Sequence, residues 1–278
     1  NELSGTLAGL LRVRGLDMND AHIYCRKDQI KDEFKRVLEL TMSYFKIFGL
    51  KDYWFRLSRW SKEHTEKYIQ EPENWEYAEA MLRDVLKEMN VPFVEAEDEA
   101  AFYGPKVDVQ FKSIVGREET MSTIQLDFAA KKRFELTYAD EHSERNNEVF
   151  VIHRAPLSTH ERFIAFLIEH YAGIWPLWLA PVQVKLLPVG EKHREFAEIM
   201  HNQFMEEGIR AAVDMTDETV GKKIRNAEHE KVPYMLVIGD KEVSGEPLAI
   251  RKRGSKDTIN LSKDKFINQV QEEIKGNL

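Results

Sequence analysis

Apolar positions in the first part of the chain follow two periods. Over 26–48 they fall at Ile30, Phe34, Val37, Leu38, Met42, Phe45 and Phe48, close to helical spacing, and Gly49 follows as a stop. The stretch 75–89 repeats the pattern through Ala78, Met81, Leu82, Val85, Leu86 and Met89, and 159–171 predicts a third helix. Alternation replaces it in KVDVQF (106–111) and TMSTIQLDF (120–128), which predict strands, as do 53–57 and 149–153. Several strands follow one another with no helix between them. The spacing therefore predicts an antiparallel sheet with helices on it, an α+β fold.

The pattern changes at PLWLAP (176–181). Beyond it strands are predicted at 182–187, 210–213, 234–238 and 248–252, and helices at 191–207, 218–228 and 263–274. This alternation predicts a separate α/β domain of the doubly wound kind, giving domains 1–180 and 181–278. The 278 residues are ample for two cores.

Composition narrows the classes. At 42% hydrophobic and 32% charged the chain is globular, and no run approaches the ~18 apolar residues of a membrane span. A net charge of −8 argues against general coating of nucleic acid, DNA included, while leaving room for a local basic face that reads one RNA. The single cysteine, Cys25, excludes an internal disulfide and suits a reducing, cytoplasmic compartment; its plainest role is a small apolar strand residue. The N-terminal NELSGTLAGLL has neither a basic leader region nor an initiating methionine, so it reads as the middle of something longer.

Candidate chemistry begins at LLRVRGLDMNDAHIYC (10–25). Arg12 and Arg14 share a predicted strand face, and His22 lies across a loop on the second arm of a predicted hairpin. Charges aimed at a sheet face are costly unless something anionic meets them, and the arginine fork suits phosphate. A solvated edge strand is the competing reading. A second histidine, His153 in VIHRAPLSTHERF, has no local metal spacing to His22, so only the fold can join them. Arg162 occupies a first helical turn, where the helix dipole favours acids; an ion pair or a phosphate contact would each account for it. FYGPKVDV supplies a Gly-Pro turn feeding a strand.

Taken together, LRVRGLDMNDAHIYC, FYGPKVDV, STIQLDFAAKKRFELTY, VIHRAPLSTHERFIAFLIEHYAG and WLAPVQV closely resemble the threonyl-tRNA synthetases, a family of class II aminoacyl-tRNA synthetases. TVGKKIRNAEHEKVPYMLVIGDKEV and LAIRKRG resemble that family's C-terminal anticodon-binding domain. The resemblance implies the class II antiparallel sheet, without its N-terminal part, followed by an anticodon-binding domain with a mixed sheet. The implied activity is threonine–tRNA ligation: ATP-dependent formation of threonyl-adenylate, then transfer to tRNA(Thr).

The resemblance also assigns residues. Arg12 and Arg162 match the family's ATP-contacting arginines of motifs 2 and 3, and Glu2 the glutamate that recognises adenine. Lys106, Thr123, Gln125 and Tyr103 match positions lining the amino-acid and adenylate pocket, and Asp20 the acceptor of the threonine hydroxyl. His22 and His153 match two of three protein ligands of a zinc ion, the third being a cysteine expected upstream of residue 1. Mg²⁺ is expected with ATP. In the second domain Glu242 and Arg251 match anticodon-reading positions, while Arg225 and Lys231 are expected to face the anticodon stem-loop. Residues 182–278 hold 16 Lys/Arg against 17 Asp/Glu, so any basic surface there must be patterned rather than abundant.

The family's pattern is departed from at Leu16, Met18 and Ser158, where a phenylalanine, a polar residue and a glycine are common. Motif 1, with much of the homodimer interface, and one α-phosphate arginine are expected upstream of Asn1. A chain lacking them is expected to be inactive alone. The alternatives are a non-catalytic paralogue that binds tRNA through its C-terminal domain, and a class II enzyme of another amino-acid specificity.

Overall fold

A computed structural model describes residues 5–113 and 116–276. The chain divides between His170 and Tyr171 into two compact units, ten residues ahead of the boundary at 181 drawn from the sequence. Residues after Tyr171 join the second unit because Leu177 is buried in its core. Among the described residues no helix is long and apolar enough to cross a membrane.

The first unit is built on a six-stranded sheet. Its strands are β1 (Ala21–Arg26), β2 (Tyr53–Ser58), β3 (Phe93–Ala96), β4 (Lys106–Lys112), β5 (Glu118–Asp127) and, after a short two-stranded ribbon of β6 (Tyr138–Ala139) and β7 (Arg145–Asn146), β8 (Val149–Ala155). The order is β1-β8-β5-β4-β2-β3, antiparallel except for the β2–β3 pair.

Period-two alternation gives this sheet two different faces. Leu57, Val107, Ile124, Leu126 and Ile152 are fully buried on one face. The helices α1 (Ile30–Ile47) and α4 (His160–Tyr171) close over that side. Phe45 of α1 and Phe166 of α4 each pack on Phe111, with ring centroids 5.2 and 5.1 Å away. The helix α2 (Pro72–Glu88) places Trp75 against Trp60 and Phe128, and the four-residue α3 (Ala130–Arg133) follows β5. The other face is polar and carries the candidate site.

The predicted opening hairpin does not form. Only its second arm is a strand, β1, which pairs with β8 instead. Leu7, Leu10, Leu11, Leu16 and Met18 are all exposed, so no buried face fixes a strand register in the first arm. That segment leans on the start of α4: the His160 N–H donates to the Asp17 carbonyl (2.8 Å), and Met18 bridges Thr159.

The second unit has a five-stranded sheet from β9 (Val184–Pro188), β10 (Ala211–Val213), β11 (Tyr234–Ile238), β12 (Leu248–Lys252) and β13 (Thr258–Leu261). The order is β10-β9-β11-β12-β13, the first three parallel and the last two antiparallel. On one face Phe204 of α5 (Arg194–Glu206) and Phe266 of α8 (Lys263–Lys275) meet Tyr234 and Leu236. On the other, Ala227 of α6 (Val220–His229) packs on Leu187 and Met235. The short α7 (Asp240–Val243) follows β11. Residues 258–261, which the sequence pattern passed over, form the edge strand β13, exposed over most of its length and so lacking a buried face to betray it.

Candidate functional site

Register places four of the predicted residues, with Ser58, in one row. His22 pairs with His153, His153 with Gln125, Gln125 with Lys106, and Lys106 with Ser58. Cross-strand partners share a face, so these five side chains stand side by side across five strands on the polar face. With strands ~4.8 Å apart, Lys106 lies about 10 Å from the nearer histidine. A second row, two residues on, runs Thr123, Asp108, Arg56.

The two histidines meet. Their rings are edge to face with centroids 4.4 Å apart. His153 Nε2 lies 3.0 Å from an Asp127 carboxylate oxygen; with that carboxylate ionised, the ring N–H donates to it. Asp127 is itself fixed, accepting the backbone N–H groups of Ala129 (2.7 Å) and Ala130 (2.9 Å). An imidazole oriented by a carboxylate, with its other nitrogen left over, is the usual arrangement of a metal-ligating histidine. Among the described residues no three His, Cys, Asp or Glu side chains converge to hold an ion. Cys25 does not join the pair. It is buried, three positions along β1 from His22, with its Sγ on the Phe150 carbonyl (3.7 Å); burial, then Glu33 and Asp28, push its thiol up to about 11.

Tyr103 closes the row from above. Its ring centroid is 5.6 Å from that of His153, and its hydroxyl donates to Gln125 Oε1. Burial first, then the charges of Asp127 and Asp20, raise the phenol. Tyr103 owes its position to Gly104. A Cβ built on Gly104 would lie 1.7 Å from the Leu126 carbonyl oxygen, so only glycine lets this turn lie against β5.

Lys106 and Thr123 are joined by a residue that the motif reading missed. Asp108 is completely buried and accepts from Lys106 Nζ (2.7 Å), Arg56 (3.0 Å), Ser58 (3.1 Å) and Thr123 (2.8 Å). Its signal was present in KVDVQF, where the aspartate has the parity of the lysine.

Arg12 and Arg162 are brought near each other through backbone. Arg162 Nε donates to the carbonyl of Leu11 (3.1 Å), the neighbour of Arg12. Arg12 itself lies exposed on the segment before β1. Ser158, just before α4, has φ +56°, the left-handed region that favours glycine. Glu2 lies outside the described residues.

The four predicted residues of the second unit occupy different places. Arg225 is exposed on α6. Arg251 donates to Glu228 (2.6 Å) and to the Ser255 carbonyl (3.1 Å), beside the C-terminal end of α6. Lys231, at φ +59°, donates to the Ala172 carbonyl. With Arg251, Arg253 and Lys256 it lines a cleft of about 550 Å³. Glu242 lies past the other end of β11, where its carboxylate accepts the Gly239 N–H (2.8 Å). Arg251 pairs in register with Met235, four residues before Gly239, which is about 13 Å along the strand.

Comparison with known proteins gives the family of each unit. Residues 1–171 match the family described as tRNA synthetase class II core domain (G, H, P, S and T), and residues 183–273 match an anticodon binding domain. A threonine–tRNA ligase of Oceanobacillus iheyensis is 50% identical over 275 residues, 99% of this chain and 42% of that protein. One of Listeria monocytogenes is 51% identical over 274 residues, 98% of this chain and 43% of that protein. The chain thus spans less than half the length of these curated relatives. A crystal structure described as the RNA binding domain of threonyl-tRNA synthetase from Cryptosporidium parvum superposes with a TM-score of 0.89 at 32% identity, over 98% of this chain and 68% of that one.

Proposed function

This chain belongs to the class II tRNA synthetase core-domain family and carries an anticodon-binding domain behind it, and from that premise we propose that it is the substrate-binding and tRNA-reading portion of a threonine–tRNA ligase. The observation that carries the reading is the row His22, His153, Gln125, Lys106 on one polar sheet face, with Tyr103 over it.

In this account ATP and threonine lie on the polar face. Lys106, Arg12 and Arg162 meet the anionic groups of ATP, threonine carboxylate and adenylate, and Mg²⁺ accompanies the ATP. The reaction is attack of the threonine carboxylate on the α-phosphate with loss of pyrophosphate, then passage of the threonyl group to the tRNA's terminal ribose. It needs little proton transfer, so positioning and charge neutralisation do most of the work. Asp20 accepts the threonine hydroxyl, and Tyr103 and Gln125 wall the pocket.

Threonine and valine are nearly isosteric, and an apolar pocket separates such a pair only weakly. His22 and His153 are the residues that would hold a zinc ion, with a third protein ligand from outside the described residues. A zinc ion held by them would supply a Lewis-acid position for the threonine hydroxyl and so would make that hydroxyl compulsory. Arg225, Lys231, Glu242 and Arg251 serve the anticodon stem-loop, whose unpaired bases are open to hydrogen bonding without a basic domain overall. The homodimer and a cytoplasmic location belong to the same reading.

The test is threonine-dependent ATP–pyrophosphate exchange by the intact protein captured from its source through the second unit. Exchange with threonine is the expected result. Its absence, with tRNA still bound, would favour a tRNA-binding protein that does not aminoacylate.

A further inference from the structure

Asp108 has no counterpart among the residues that the resemblance assigns, yet it sits between two that it does. A carboxylate with no exposed surface is costly unless its charge is met, and here Arg56 and Lys106 meet it. Its two oxygens divide the work. Oδ2 accepts from Lys106, Arg56 and Ser58, and Oδ1 accepts from Thr123.

Two consequences follow for the polar face. Lysine is a point charge on a flexible stem, so one fixed N–H···O bond selects where its other two N–H groups can point. Thr123 has one proton, and that proton is spent on Asp108. Its oxygen can then only accept from anything seated beside it. One buried carboxylate thus makes Lys106 a donor towards an anionic group and Thr123 an acceptor for an N–H or O–H group.

We infer that Asp108 is a positioning residue that sets the hydrogen-bonding polarity of the substrate face, through Lys106 and Thr123, without touching substrate itself. The inference rests on the functional reading above. It also gives Ser58 and Arg56 a purpose, since both donate to the same carboxylate oxygen as Lys106.

The experiment is a double-mutant cycle in the intact protein, read by pyrophosphate exchange. Asp108→Asn keeps the size but places an N–H₂ either where three donors already converge or where Thr123 donates. It is expected to lower kcat by about 100-fold, the scale of a misplaced positioning group, with KM for threonine and ATP moving far less. In a Lys106→Met background the same change is expected to add little, because the two act as a unit. Full multiplicative losses, or a full kcat in Asp108→Asn, would overturn the inference. Should Asp108→Asn fail to fold, Ser58→Ala loosens the carboxylate without touching a substrate-facing group; a lowered kcat at constant KM supports the inference and an unchanged kcat overturns it. A wild-type protein with no threonine-dependent exchange overturns the functional reading itself, whereas an active wild type with additive variants overturns only this step.

Discussion

His22 and His153 are cross-strand partners whose rings meet edge to face, 4.4 Å between centroids, and Asp127 holds the second of them at 3.0 Å. If this pair holds a metal, Asp127 tunes it. Asp127→Asn in the intact protein is expected to weaken zinc binding about 10–100-fold in a chelator competition, as loss of an outer carboxylate does elsewhere. Unchanged affinity would remove the metal from this row.

Gly104→Ala tests how Tyr103 is held. The new methyl group would collide with the Leu126 carbonyl, which is backbone and cannot swing away. A loss of at least about 1–3 kcal/mol in unfolding free energy is expected, the range for overpacking. A urea titration of the chain measures it. A midpoint equal to wild type would mean that the turn can lift off β5 freely.

Lys231 occupies a left-handed position just after α6, where glycine is the easy choice. Lys231→Gly relieves about 1 kcal/mol of backbone strain, less what is lost with the bond to the Ala172 carbonyl. If the lysine is kept for RNA, tRNA affinity falls and the slope of log K against log salt drops by about one phosphate's worth. Filter binding at several salt concentrations reads the slope. An unaltered slope would make Lys231 purely structural.

Asp98 ties the turn before Ala100 to the loop at 64–68, accepting from Tyr68 (2.8 Å), Lys67 (2.5 Å) and His64 (2.9 Å). Lys67 and Tyr68 hold its carboxyl down at about 2, below the ordinary 3.8. A carboxyl depressed by folding contributes stability that is present above its unfolded value and is lost as pH falls through its folded one. The contribution should therefore be whole at pH 5, fall from about pH 4 and be gone only below about pH 2. Asp98→Asn is expected to lower the melting temperature at pH 7 and to converge on wild type only below about pH 2. A gap that persists in acid would contradict the assignment.

How much of this was legible beforehand depended on what a residue could signal locally. Strands 234–238 and 248–252 match in both bounds, the first marked by a continuous buried apolar run and the second by buried alternation. The opening hairpin misled because Leu10 and Leu11 of LLRVR are exposed in this structure, and periodicity does not reveal burial. The meeting of His22 with His153 could not be read from spacing at all; it is a product of β1–β8 pairing. The resemblance supplied it, as it supplied the glycine preference at Ser158, for which the φ of +56° is the physical cause. Asp108 went unseen for the opposite reason. A buried carboxylate in a strand reads as one more polar position until its four donors are placed around it.

The most direct measurement of the central claim is pyrophosphate exchange by the intact protein with threonine and with valine, in wild type and in His153→Ala. The account predicts strong exchange with threonine, little with valine, and loss of the threonine signal in His153→Ala. Equal signals from the two amino acids, or a His153→Ala protein as active as wild type, would contradict it.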